Sequence, residues 1–177
     1  MSVTELQEIL KSNYPAMDAV GICPEDLVYE ERVRLKCFQC RNYSTNRTCP
    51  GHLPPFDYRQ IISEYAHIAV IINRTATGGD QVSEAVFRQS GNELHRAMLF
   101  LESELLKRGN PLAQSFIGGS CQLCENGCPA DRCARPEQAR VPWDATGCNV
   151  VQTLAIIGIE VVFPPKDYIC QYGLFLW

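Results

Sequence analysis

The middle of the chain contains the run Ala66-His67-Ile68-Ala69-Val70-Ile71-Ile72-Asn73, which is almost continuously apolar and rich in β-branched residues. A strand of this composition is typical of a sheet that is covered on both faces, because polar residues alternate with apolar ones only where one face meets water. We therefore predict that this run is the best-buried strand of the core.

Helical patterns lie on both sides of this strand. Residues 56–65, which follow two prolines, are predicted to form a short helix. A long helix is predicted over residues 80–108, with Asp80 as its N-cap and Gly109 just beyond its last turn. The apolar stripe of the long helix consists of Leu94, Met98, Leu101 and Leu105. Ser90-Gly91 has low helix propensity and is the point at which this helix could divide.

The two ends of the chain add further elements. A first helix, capped by Ser2 or Thr4, is predicted to end near Asn13. Strands are predicted at 28–36, 112–117, 159–163 and 168–177, and a helix over 145–157 with Asp144 as its cap. Because strands alternate with helices, we predict an α/β sandwich with a mixed sheet, formed as a single domain over residues 1–177.

Seven of the ten cysteines fall into two groups that each span 13 residues. The first group is Cys37, Cys40 and Cys49, and the second is Cys121, Cys124, Cys128 and Cys133. This spacing brings several thiolates within reach of one inorganic centre, so all seven are predicted metal ligands. The predicted strands 28–36 and 112–117 run directly into these groups, which places both cysteine-rich loops at strand ends.

The second cysteine-rich loop, residues 121–136, resembles a ferredoxin loop in style. It has one Cys-x-x-Cys step and a Cys128-Pro129 step, as in loops that wrap a [4Fe–4S] cluster, although the next spacings are longer than usual. A structural zinc site normally uses two Cys-x-x-Cys knuckles, and only one is present here. The pattern favours an iron–sulfur cluster and leaves zinc as the alternative.

The first cysteine-rich loop, residues 37–52, offers three thiols and His52. Three thiolates and one imidazole suit zinc, whereas a three-cysteine cluster would leave one iron for His52, Cys170, solvent or a substrate. The two loops could also converge on one centre. Cys37-Phe38-Gln39-Cys40 could instead be a metal-free redox dithiol, but only if it opened a helix.

Other polar and sulfur-containing residues have simpler interpretations. Cys23, Cys148 and Cys170 stand alone and are interpreted as packed free thiols, and His67 and His95 as structural residues. Basic residues surround both loops and could receive an acidic redox partner protein or could form a solvated face. They are Arg32, Arg34, Lys36, Arg41, Arg47, Arg132, Arg135 and Arg140. Glycine-rich loops of the nucleotide-binding type are lacking.

Composition excludes several classes of function. The net charge of −4 argues against a nucleic-acid surface. The apolar segment 150–163 is shorter than the roughly 18 residues that a membrane helix needs, and the N-terminal residues do not resemble a secretory signal. We expect a cytoplasmic protein, in which ten cysteines would stay reduced and available to metal.

With these residues assembled, the chain resembles a prokaryotic family of predicted metal-binding proteins, domain of unknown function 2284. The resemblance rests on residues 32–37 with Cys40, Asn42-Tyr43 and Cys49-Pro50, on the four second-loop cysteines with Arg135-Pro136, on residues 144–150 and on Gly173-Leu174. It implies a cysteine-rich centre, of iron–sulfur type and common in anaerobes, without an assigned reaction. Gly51 and His52 depart from the expected second proline, and Cys148 from an aliphatic residue.

Three functional hypotheses follow. The leading one is an iron–sulfur protein, one or two clusters of [4Fe–4S] type, that transfers electrons or supports an anaerobic redox pathway. The second is an enzyme in which an open iron of the first loop acts on a small molecule. The third is a zinc-stabilised interaction module.

Overall fold

The computed structural model describes residues 1–77, 83–165 and 167–177. In these ranges a four-stranded sheet, ordered β1-β2-β4-β3, has helices against both faces. The strands are β1 (Met17–Ile22), β2 (Ile68–Ala76), β3 (Gln114–Phe116) and β4 (Tyr168–Leu176). The α-helices are α1 (Val3–Asn13), α2 (Glu31–Phe38), α3 (Tyr58–Ser63), α4 (Glu84–Lys107) and α5 (Val150–Ile156). Short 3₁₀ turns occur at Pro24–Asp26 and Asp144–Thr146.

Strand β2 is central, as its sequence predicts. It pairs antiparallel with β1 on one side and with β4 on the other, and its first six residues are all buried. Ala69 and Ile71 face one hydrophobic cluster, whereas Val70 and Ile72 face another. Each fully buried valine or isoleucine side chain stabilises the fold by about 1.5–3 kcal/mol relative to an exposed one, so β2 is a main source of core stability.

Helices α1 and α4 cover the first face of the sheet. Ser2 caps α1 through a capping box with Glu5, and the predicted stripe of α4 is fully buried. Helix α4 is continuous through Ser90, where Asn73 Nδ2 donates hydrogen bonds to the Ser90 carbonyl at 3.0 Å and to its hydroxyl at 3.3 Å. Ser83 caps α4. The predicted cap, Asp80, lies outside the described residues.

Helices α3 and α5 lie on the second face, where the prediction of a helix over 145–157 needs correction. Helix α5 begins at Val150, and its cap is Asn149, whose side chain accepts from the Gln152 N–H. Asp144 instead opens a 3₁₀ turn, and Gly147, with φ of +88°, separates that turn from the helix. Asp144 is therefore not a helix cap.

Residues 159–163 do not form the predicted strand. Ile159 and Val161 are partly buried against the second cluster, while Val162 and Phe163 are exposed. Partly buried and exposed residues alternate from Ile159 to Val162, as in a strand, but the segment does not pair with the sheet. Strand β1, in contrast, was not predicted, because Asp18 and Gly21 interrupt its apolar pattern.

Residues 28–36 were also predicted wrongly as a strand, because most of them belong to helix α2. Val33 and Cys37 are partly buried, and the three residues between them are exposed, which is the spacing of one helix face. Cys37 therefore lies in the last turn of a helix.

The α/β fold is confirmed, but the sheet is not mixed. All pairings between the four named strands are antiparallel. Parallel geometry among the described residues is confined to the isolated bridge between Ile117 and Pro142. That bridge fixes the chain on both sides of the second cysteine-rich loop.

Candidate metal centre

The two cysteine-rich loops leave different kinds of element. The first leaves the C-terminal end of α2, which corrects the prediction that both start at strand ends. The second leaves β3 through Gly118-Gly119, as predicted. A Cβ atom at Gly118 would collide with the Tyr172 carbonyl oxygen, so the close approach of this turn to β4 requires glycine.

Three side chains of the first loop fasten it to the second. Asn42 Nδ2 donates to Ser120 Oγ at 3.0 Å, and Asn46 Nδ2 donates to the Cys121 carbonyl at 2.7 Å. The Arg47 guanidinium donates to the carbonyls of Pro129, at 3.1 Å, and Ala130. These contacts join residues 75–83 positions apart in the chain, so the two loops form one surface.

The four cysteines of the second loop line one small cavity, together with Arg47 and Arg135. Its volume is about 20 Å³, and a single water needs about 10–15 Å³ by the same measure. The backbone N–H of Arg47 points at Cys128 Sγ, and the distance between nitrogen and sulfur is 3.5 Å. Burial raises the pKa of Cys121, and the neighbouring thiolates add to the effect.

The three cysteines of the first loop line a separate cavity of about 360 Å³. Burial, followed by the negative charge of Asp144, raises the pKa of Cys49 to about 12 and that of Cys37 to about 11. Cys121 also contributes to the shift at Cys49, so the two groups of thiols are close in space. Such thiols stay protonated at neutral pH unless a cation replaces the proton.

These features disfavour the metal-free dithiol. A reactive Cys-x-x-Cys normally opens a helix, where the helix dipole lowers the thiol pKa. Cys37 lies instead at the C-terminal end of α2, and its pKa is raised. Cys40 follows after the helix has ended and is exposed.

His52 and Cys170, the two protein residues predicted as a possible fourth ligand of the first loop, make other contacts or line another cavity. His52 is exposed, and its Nε2 lies 2.9 Å from the Ser44 carbonyl while its Nδ1 lies 3.3 Å from the Arg47 guanidinium. Because a carbonyl only accepts and a guanidinium only donates, neither ring nitrogen keeps a free lone pair. Cys170 lines the adjoining cavity of about 760 Å³ instead.

Asp144 also lies at the site of the first loop, although the spacing of the cysteines does not indicate it. Asp144 lines the same cavity as the three first-loop cysteines and also the adjoining cavity of about 760 Å³, and its Oδ1 is buried without a hydrogen-bond partner among the described residues. Burial raises the pKa of this carboxyl. The sequence signal that includes Asp144 is the family resemblance, which covers residues 144–150.

The donors fit a cysteine-bound metal in kind and number, since thiolates are the ligands that zinc and iron–sulfur clusters prefer. Four thiols face one cavity and three face the other. Within the described ranges, however, no three His, Cys, Asp or Glu side chains are already gathered to hold a metal ion. Ligation would therefore require the loops to close around the metal.

The model of the family described as predicted metal-binding protein, DUF2284, matches residues 20–177. The chain belongs to this family. No curated protein and no solved structure matches it. Membership of DUF2284 supports metal binding and leaves the identity of the metal open.

In this DUF2284 protein, several of the basic residues that surround the two cysteine-rich loops form ion pairs with glutamates. Arg140 forms an ion pair with Glu102, with side chains only 15% and 12% exposed, and ties the chain after the second loop to α4. Three others pair on the surface, Arg32 with Glu30, Arg34 with Glu31 and Arg41 with Glu84. His95 is buried and hydrogen-bonded to the Gln138 carbonyl at 2.8 Å, whereas His67 stacks on Trp177.

In the described part of the chain, no helix is both long enough and apolar enough to cross a bilayer.

Proposed function

We propose that this protein is an electron-transfer protein that holds a [4Fe–4S] cluster through Cys121, Cys124, Cys128 and Cys133. The observation that carries the proposal is that four thiols from one 13-residue segment line a single cavity. When bound, such a cluster accepts and releases single electrons. The first group, Cys37, Cys40 and Cys49, would hold a second centre.

The surroundings of the thiols suit an anionic cluster. The backbone N–H groups of Arg47 and Asn42 lie 3.5 Å from the sulfurs of Cys128 and Cys40. N–H groups directed at cluster sulfurs raise the reduction potential, and so do nearby cations such as Arg47 and Arg135. These residues would stabilise the reduced, more negative state.

The second loop must widen to accept a cluster, because its cavity is close to the size of one water molecule. Most residues between the four cysteines are exposed, and Gly127 has φ of +78°. Little core packing would be lost if this segment moved. A redox partner protein would approach the same face, where Arg132 is exposed.

Strictly anaerobic purification with metal and sulfide analysis tests the proposal. We expect about four iron and four sulfide for each cluster. Cys124→Ser should lose the second-loop cluster. Cys23, which was predicted to be packed, is exposed and lies outside both loops, so Cys23→Ser is the matched control. Stoichiometric zinc without iron or sulfide would reject this function and support a zinc-stabilised interaction module.

A second candidate is an enzyme that binds a small molecule beside the first loop. The cavity of about 360 Å³ next to Cys37 shares lining residues, including Phe87 and Gln171, with the apolar cavity of about 760 Å³. Ligand sites of this kind are mostly apolar with a few polar groups. Addition of small thiols or imidazole to the reduced protein should change its electron paramagnetic resonance spectrum if an iron is open, and an unchanged spectrum would contradict an open site.

A further inference from the structure

We propose that the Asp144 carboxylate is the fourth ligand of the metal centre formed by Cys37, Cys40 and Cys49. The inference rests on metal binding by the first loop, which is part of the proposed function, but it applies whether the metal is iron or zinc. It replaces His52 and Cys170, the protein residues that the sequence suggested for this position.

The backbone fixes Asp144 beside the helix that carries Cys37. Trp143 is 1% exposed, and its backbone N–H donates to the Ile117 carbonyl at 2.8 Å. This bond anchors the turn next to β3. The Gly147 carbonyl accepts from the Glu30 N–H at 3.0 Å, just before α2 begins. The 3₁₀ turn is therefore tied to the end of β3 on one side and to the start of α2 on the other.

The unpaired oxygen of Asp144 indicates that a cation belongs next to it. Oδ1 has no hydrogen-bond partner among the described residues and is shielded from solvent. Burial of a carboxylate oxygen without a partner is unfavourable, and buried charges in proteins are normally paired or bound to metal. The neighbouring Ala145 N–H donates to the Pro142 carbonyl at 3.1 Å and does not pair with Oδ1.

The three cysteines face the same place. Asp144, Cys37, Cys40 and Cys49 all line one cavity. Four acidic donors in one cavity repel one another when ionised, and a divalent or cluster-bound metal removes that repulsion.

The resulting ligand set is three thiolates and one carboxylate. Zinc accepts cysteine sulfur and aspartate oxygen in one tetrahedral site, and the fourth position of a three-cysteine iron–sulfur cluster needs one further donor. A carboxylate in that position would cap the iron, and a substrate would reach it only by displacing Asp144.

The test isolates the first loop by removing the second. In the full chain with Cys124→Ser and Cys128→Ser, Co²⁺ is added alone under anaerobic conditions, and its affinity and absorption spectrum are measured. We expect Asp144→Asn to weaken Co²⁺ binding by about tenfold or more, on the scale of changes close to a metal. Asp131→Asn, which replaces an exposed carboxylate of the second loop, is the matched control and should bind as the parent does.

Two more measurements separate ligation from a structural role. Asp144→Cys should restore tight binding and add thiolate-to-metal absorption, since it converts the site to four sulfurs. Metal-free Asp144→Asn should be at least as stable as the metal-free parent, because the unpaired buried charge is gone. A purely structural aspartate would make the metal-free variant less stable.

Unchanged Co²⁺ affinity and spectrum in Asp144→Asn would overturn the inference, and so would a parent that binds no Co²⁺ through the first loop. Neither result would refute the electron-transfer proposal, which depends on iron and sulfide at the second loop of the otherwise unaltered protein. Conversely, tight Co²⁺ binding that depends on Asp144 would support the inference even if the purified protein contained zinc.

Discussion

Asn46 is the most buried of the three side chains that join the two cysteine-rich loops, so its removal should affect both stability and metal binding. Its side chain is only about 9% exposed. It makes three hydrogen bonds, to the Cys121 carbonyl at 2.7 Å, from the Thr48 N–H at 3.1 Å and from the Thr48 hydroxyl at 3.0 Å. A net value of about 1 kcal/mol for each gives a loss of about 3 kcal/mol for Asn46→Ala.

Thermal and urea unfolding of the metal-free protein can measure this loss. For a chain of this size, about 3 kcal/mol corresponds to a decrease in Tm of about 6–12 °C. Asn42→Ala, which removes one such bond to Ser120, should cost about 1 kcal/mol. Asn126→Ala, an exposed position in the second loop, should change the free energy of unfolding by less than about 0.5 kcal/mol.

The same variants report on metal binding. If the loops form one surface, Asn46→Ala should lower the metal content of both groups of cysteines, although it replaces no sulfur. Equal stability and equal metal content in Asn46→Ala and Asn126→Ala would refute the idea that Asn46 joins the loops.

Three further predictions concern the scaffold. Arg140→Ala should cost about 3–5 kcal/mol in unfolding free energy because it leaves Glu102 charged and buried, and a loss below about 1 kcal/mol would contradict a buried pair. Burial lowers the pKa of His95, close to Arg140 and Glu102. The contribution of His95 to the free energy of unfolding is therefore complete above the unfolded-state pKa near 6.5 and is lost as pH falls toward the lower folded-state pKa. His95→Gln should make stability depend less on pH on the acid side. An unchanged dependence of stability on pH would contradict this. Gly118→Ala should destabilise by about 1–3 kcal/mol through collision with the Tyr172 carbonyl, and wild-type Tm would show that the turn has room.

The strongest sequence patterns predicted the core correctly. Strand β2 and helix α4 have long, regular apolar patterns, and both occur almost where they were expected. Burial dominates the free energy of such segments, so their local pattern is sufficient. The capping box of Ser2 and Glu5 likewise marks the start of α1 directly.

Short segments with weak patterns were predicted less well. Residues 28–36 contain few apolar side chains, and their loose alternation concealed the helical spacing of Val33 and Cys37. Residues 159–163 have the composition of a strand but no place in the sheet. Strand β1 has a weak pattern of its own and depends on its pairing with β2. In all three cases, tertiary contacts decide the structure.

The same limit applies to the candidate site. The spacing of the cysteines predicted which thiols share a cavity, because ligands from one loop are local in sequence. The contributions of Asn46 and Asp144 come from residues roughly 75–107 positions away from their partners in the other segments. No local pattern records such contacts, although the family resemblance includes the segment that begins at Asp144.

The closeness of Cys49 to Cys121 has a thermodynamic consequence. Charge placed on one group of thiols changes the potential at the other, so occupation of the two groups is a linked equilibrium. Linkage is reciprocal: metal bound by the first group changes the binding free energy at the second group by the same amount as the second changes it at the first. The two groups of cysteines are therefore expected to bind metal as a coupled pair, with macroscopic binding steps that belong to neither loop alone.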